Sequence, residues 1–210
     1  EKVLGTDLTG DGAYRLNIDS AHAYFATTPD VNLKYFDNVK LSLWKWNYIE
    51  PQDNGSIDIS TDGGSSWTRV WLSQASGQLP EFLWNNLYLY NNINNLVKRK
   101  PNVRFRFAIN YSDNNNAYAG WNIDNFAVTG EYLTNDIAIT RVILPCDDCI
   151  NTGEDEIKVI VRNYAAIPTP ANKRILFSLH GTQGPKIYDT ISTSIPVDDS
   201  VIFTFTRPAD

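Results

Sequence analysis

Methionine is absent from this sequence, and cysteine and histidine occur only twice each among 210 residues. These side chains carry much of the nucleophilic, proton-transfer and transition-metal chemistry of proteins, so catalysis has little to draw on here. His22 and His180 stand far apart in the chain. No apolar run approaches the ~20 residues that cross a bilayer, so no membrane span is expected. Positive charge is also in short supply. Lys and Arg total 18 against 24 Asp and Glu, which leaves a net charge of −6, and the basic residues form no tract. A nucleic-acid partner calls for a positive stripe to offset phosphate repulsion, so that class of partner is not expected. With neither an initiator Met nor a signal-peptide pattern, we expect a processed piece or an excerpt of a longer chain whose export signal has gone.

Helical periodicity is equally scarce. Its best candidate is Leu87 to Val97, but Asn91, Asn92, Asn94 and Asn95 are weak helix formers, so one short turn or a loop is expected there.

What the chain does have is apolar and aromatic residues in strand patterns. Hydrophobic residues make up 42% of it, with 6 Trp, 11 Tyr and 9 Phe, enough to bury a core. Short β-branched and aromatic runs separated by Asn, Asp, Gly and Pro predict strands at Tyr14–Ile18, Ala23–Thr27, Val39–Ile49, Ser56–Ser60, Thr68–Leu72, Leu83–Leu89, Val103–Tyr111 and Trp121–Glu131. A parallel sheet needs crossover helices and none is visible, so an antiparallel sandwich is expected. Near residue 132 the aromatics thin out and plain Ile/Val/Phe alternation begins. Strands are predicted at Asp136–Ile143, Glu156–Asn163, Arg174–His180, Lys186–Ile195 and Val201–Thr206. The expectation is an all-β chain of two domains: a jelly-roll sandwich over 1–132, then an Ig-like sandwich over 133–210 that is incomplete at its C-terminus.

Ser60-Thr-Asp-Gly-Gly-Ser-Ser-Trp67 is the sharpest local string. It predicts a hairpin in which Gly supplies positive φ and Asp62 accepts backbone N–H bonds across the turn. It resembles the Asp-box, S-x-D-x-G-x-[ST]-W, a folding element of sialidases and many secreted β proteins. A propeller would repeat it per blade, and here it occurs once.

Leu41-Ser-Leu-Trp-Lys-Trp-Asn-Tyr48 alternates, with Leu41 and Leu43 on one face and Trp44, Trp46 and Tyr48 on the other. The strand reads first as a central one, buried on both sides between two sheets; the alternative is that Trp44, Trp46 and Tyr48 form an aromatic platform for sugar rings.

Asp7-Leu-Thr-Gly-Asp-Gly12 looks like the start of a calcium loop, but the twelfth position is Ile18 and no helix follows. A second calcium arrangement fits better. If Val39–Ile49 pairs with Trp121–Val128, and Val103–Tyr111 forms a hairpin with Trp121–Val128, then Glu50, Asp53, Asp113 and Asp124 gather at one end of the sandwich. Four carboxylates gather cheaply only around a cation, and calcium accepts such strand-end oxygens. The alternative is that these are solvated turn residues.

Cys146-Asp-Asp-Cys149 follows Pro145 in a β context. A zinc site lacks two further ligands nearby, and a thioredoxin motif lacks its helix. A local disulfide is expected, and with it an oxidising compartment. Asn54-Gly-Ser and Asn110-Tyr-Ser are N-glycosylation sequons. The triplets holding Ser20, Thr190 and Ser200 resemble the Asp-Ser/Thr-aliphatic O-glycosylation pattern of exported Bacteroidota proteins.

Taken in order, six strings carry a larger resemblance: Gly5–Gly10 with Tyr14, Ala26–Leu33, Leu41–Glu50, Asp53–Ser56 running into the Asp-box, Val103–Phe107 with Ser112-Asp113, and Gly120–Asn125. They resemble the MAM-like jelly roll of bacterial secreted proteins, the kind attached to immune-inhibitor-A-type metallopeptidases and choice-of-anchor surface proteins. Two positions depart from that pattern: Asn125 replaces the second of paired aspartates, and Leu43-Trp44 replaces a Phe-Trp pair. Asp136–Thr140, Glu156–Asn163 and Val201–Phe205 resemble the cell-adhesion-related (CARDB-type) or fibronectin-like Ig domains of bacterial exoproteins.

The resemblance implies a non-catalytic, extracellular adhesion or ligand-binding region of a larger bacterial secreted or surface protein, with a glycan or protein partner; the cofactor expected from the gathered carboxylates is structural calcium. The alternatives are an accessory region of a secreted peptidase, or a surface-filament subunit that takes a donated strand from neighbouring copies at an open sheet edge. An enzyme reading ranks last, because no carboxylate pair stands out from the turn acids.

Overall fold

The structure, a computed structural model, describes residues 3–5, 23–49, 53–73, 83–110, 120–143, 157–178 and 186–205. The fold is all-β, and the chain divides into two compact units, Glu1–Glu131 and Tyr132–Asp210.

The first unit is a jelly-roll sandwich of two four-stranded sheets. Its strands are β1 (Leu4–Gly5), β2 (Ala23–Thr27), β3 (Phe36–Tyr48), β4 (Asn54–Ser60), β5 (Thr68–Leu72), β6 (Asn85–Leu89), β7 (Arg104–Asn110) and β8 (Gly120–Tyr132), with helix α1 (Asn91–Val97) between β6 and β7. The first sheet runs β1-β8-β3-β6 and the second β2-β7-β4-β5. The chain passes repeatedly from one sheet to the other, so strands distant in sequence become neighbours. Inward residues of both sheets form one core: Val39, Leu41 and Leu43 of β3, Ile57 and Ile59 of β4, Phe105 and Phe107 of β7, Trp121 and Ile123 of β8. Aromatic rings fill its middle, with Phe107 edge-on to Phe126 at 5.2 Å and Trp71 stacked on Trp121 at 5.5 Å. The indole of Trp121 leaves no room for a side chain on the facing strand. A Cβ at Gly55 would sit 3.1 Å from it.

The Asn-rich helix forms because packing outweighs propensity. Ile93 and Val97, one turn apart, are fully buried, while the Asn94 carboxamide oxygen accepts the Val39 N–H at 3.0 Å. Arg99, at φ 60°, ends the helix in the left-handed region.

The predicted turn after β4 is present. Gly63 and Gly64 adopt φ of 70° and 100°. The Asp62 carboxylate accepts the Ser66 N–H at 2.9 Å, the Ser66 hydroxyl at 2.6 Å and the Ser60 hydroxyl at 2.7 Å. These bonds hold its carboxyl well below the usual range, the Ser66 hydroxyl contributing most. Trp67 closes the turn by donating its indole N–H to the Gly64 carbonyl at 3.1 Å.

The second unit is an Ig-like sandwich made of β9 (Ile137–Ile143), β10 (Lys158–Asn163), β11 (Lys173–Ser178), β12 (Lys186–Ile191) and β13 (Ser200–Thr204). A three-stranded sheet runs β13-β10-β9 and a two-stranded sheet pairs β11 with β12. Ile157, Val159, Val161, Ile191, Ile195 and Phe205 form its core. Asn163, wholly buried, ties the loops together. Its amide donates to the carbonyls of Ile167 at 2.9 Å and Ile195 at 3.0 Å, and its oxygen accepts the Ala165 N–H at 2.9 Å.

Candidate functional site

Strand β3 sets the site. Its residues alternate strictly, so Val39, Leu41, Leu43, Lys45 and Asn47 point inward and are buried. Trp44, Trp46 and Tyr48 therefore share the outer face of the first sheet. Trp44 stands exposed on that face, so β3 is not buried on both sides along its length, as one reading of its sequence had it. Trp44 is 43% exposed, while Trp46 and Tyr48 are half-buried. Tyr88, opposite Ser42 on β6, adds a ring that is 55% exposed.

On the other flank of β3, strand β8 breaks its own alternation. Trp121 and Ile123 enter the core, and so do Phe126 and Val128, leaving two residues between the inward pairs instead of one. The strand changes phase at this point, and Asn125 takes up the step at φ 50°, a conformation Asn tolerates better than most side chains. Both Asp124 and Asn125 are thereby turned to the outer face. The Asp124 carboxylate accepts the Asn125 N–H at 2.7 Å, which fixes its rotamer.

Trp84, just before β6, completes the arrangement. Its ring stands edge-on to Trp46 at 6.1 Å and remains 37% exposed. Val3, Trp44, Trp84, Asp124 and Asn125 line an open depression of about 410 Å³. Two indoles, a carboxylate and a carboxamide thus converge on a rigid sheet, a set that can stack a ring and hydrogen-bond its substituents. Sequence reading found Trp44, Trp46, Tyr48 and Asp124 but separated them into two sites, and it missed Trp84 and Asn125. The signal for Asn125 was present: spacing of two in Trp121-x-Ile123 changes to three before Phe126, with Asn at the step.

The expected gathering of four carboxylates takes a different form. The hairpin between β7 and β8 is not made: β7 lies between β2 and β4 in the second sheet, whereas β8 lies in the first. Asp124 faces the aromatic depression, while Asp53, at the head of β4, is 1% exposed. Glu50 and Asp113 lie outside the described residues, and among those described no three metal-ligating side chains cluster. Cys146, Cys149, Ser20, His22 and His180 also lie outside the described residues. Asn54 and Asn110 stand directly opposite each other on β4 and β7, half-buried, and the sequon's Ser56 is fully enclosed. Thr190 and Ser200 are exposed, each with its N–H donated to the preceding aspartate at 2.7 Å.

The outer face of the second sheet is built differently. Buried Asp58 is bracketed by Arg106 at 2.7 Å and Arg69 at 3.1 Å, and the Arg106 guanidinium lies 4.2 Å from the Trp67 ring centre. Beside it Arg104 pairs with Asp30 at 2.6 Å and holds that carboxyl below its ordinary range. These charges are engaged with one another, and Phe25, whose ring lies 5.2 Å from the Arg106 guanidinium, stays 60% exposed beside them.

No family model matches the chain, and no curated protein matches it. Among solved structures it is similar to the glycoside hydrolase domain of Endo-D from Streptococcus pneumoniae R6, at 11% identity and a TM-score of 0.31. That match covers 87% of this chain and 33% of the other, so the chain spans about a third of that protein's length, and a likeness this distant says nothing of activity.

Proposed function

We propose that this chain is a non-catalytic, extracellular adhesion or ligand-binding region of a larger bacterial secreted or cell-surface protein. One observation carries the reading: Trp44, Trp84 and Tyr88 stay exposed beside the outer face of a sheet whose inner face buries Val39, Leu41 and Leu43 completely. Large aromatics left in water on a rigid support are a feature of recognition surfaces. The partner is a glycan or a protein. Calcium bracing the loop that carries Asp53 belongs to this proposal, and a melting temperature that is the same in EDTA and in millimolar calcium removes it. The proposal as a whole is tested by presenting the purified chain to glycan arrays and immobilised extracellular proteins. Saturable binding without turnover supports it, and turnover that disappears on neutralising one acidic side chain overturns it.

A second reading, a filament subunit joined by strand donation, draws on β9. That strand lies at a sheet edge, and its Ile139 and Val142, which face the inner side with Val161 and Val159, are 47% and 51% exposed. Sedimentation across a wide concentration range tests it: monomers throughout argue against assembly.

A further inference from the structure

We infer that the depression on the first sheet binds a neutral saccharide, with Trp44 and Trp84 stacking on the pyranose and Asp124 and Asn125 holding its hydroxyls. The inference rests on the ligand-binding reading above and narrows it to a ligand class and a set of roles.

The chemistry of the lining selects that class. A pyranose presents axial C–H bonds on its faces and hydroxyls around its rim. Indole rings offer an apolar, electron-rich surface to the first, and a carboxylate beside a carboxamide offers acceptors and donors to the second. Trp44 and Trp84 supply the surface, each more than a third exposed. Trp46 is a positioning residue: its ring meets Trp84 edge-on at 6.1 Å and limits where that indole can turn. The change of phase at Asn125 supplies the polar partners, since strict alternation would turn one of the two side chains into the core.

Charge narrows the class further. Among the described residues Asp124 is the charged group of the lining, and the chain carries a net −6. Uronic and sialic acids would bring a second carboxylate against it, which is unfavourable in a partly desolvated site.

The test uses the whole chain. Neutral hexose and N-acetylhexosamine oligosaccharides, their uronic- and sialic-acid counterparts, and tetramethylammonium are titrated while tryptophan fluorescence and heat are followed. Neutral oligosaccharides are expected to bind, with Trp44→Ala and Trp84→Ala each weakening them by about tenfold or more and Asp124→Asn by several-fold. Trp44→Phe is expected to retain part of the affinity, and unchanged circular dichroism confirms that each variant folds. Preferential binding of acidic sugars or of tetramethylammonium overturns the inference. So does saccharide or protein binding that survives both tryptophan substitutions, although in that case the broader ligand-binding reading stands. A chain that binds no glycan and no protein removes both.

Discussion

The two units solve the same problem with different means. In the first, two four-stranded sheets close over Phe105, Leu41, Leu43, Ile57 and Val103, all wholly buried. In the second, among the described residues, a three-stranded sheet packs with a two-stranded one. Ile139 and Val142 on β9 stay about half exposed. What the smaller unit lacks in apolar filling it recovers through Asn163, whose one side chain satisfies backbone groups of several loop residues. The larger unit is held by volume and the smaller by a polar clamp, and each calls for a different perturbation.

The largest effect is expected from Phe105→Ala, which opens a cavity among Phe126 and its neighbours and should cost the first unit about 3–5 kcal/mol by denaturant unfolding. Next comes Asn163→Ala. It strands enclosed backbone donors and acceptors and should cost the second unit about 2–4 kcal/mol. If Val159→Ala in the same unit proves more damaging than Asn163→Ala, the clamp is secondary and the contrast between the units fails. Gly55→Ala should cost about 1–3 kcal/mol, because the new methyl meets the Trp121 ring. A concurrent Trp121→Phe should recover part of that loss, which a double-mutant cycle measures.

The smallest effect concerns acid. Asp62 has a depressed pKa when folded, so its contribution to stability is full above the unfolded value near pH 4 and is lost as pH falls below it. The carboxyl chemical shift of Asp62 should therefore titrate at lower pH than in a peptide. Ser66→Ala should move that midpoint upward. An unchanged midpoint would mean that the Ser66 hydroxyl bond at 2.6 Å does not persist in solution.

Much of this architecture is legible in the residues. Predicted strands at Ala23–Thr27 and Thr68–Leu72 coincide with β2 and β5, because flanking turn residues bound an apolar alternation on both sides. The Asp-box hairpin is equally local, and its bonds are made among the residues that announce it. Failures arise where the deciding partner is distant. Helix α1 runs through four asparagines because Ile93 and Val97 find the core, which no window of its own sequence contains. The assignment of β7 and β8 to opposite sheets likewise depends on crossovers that adjacency in sequence cannot reveal. The candidate site was half visible for the same reason. Trp44 and its outward neighbours follow from period-two alternation, whereas their meeting with Asp124 and Trp84 follows from sheet order and from the change of phase at Asn125. Whether β3 was covered on its outer face could not be read from its own residues, since an aromatic stripe looks alike on a buried and on an open face.

The order of the first sheet also bears on how the polypeptide emerges from the ribosome. Strand β8 lies between β1 and β3, so among the described strands β1 has only β8, the last of its unit, as a partner. Until β8 has been synthesised, β3 lacks one neighbour and the aromatic core lacks Trp121 and Phe126. Nascent segments of this unit must wait with apolar surface uncovered, which favours slow, late closure and reliance on holding factors over piecewise folding.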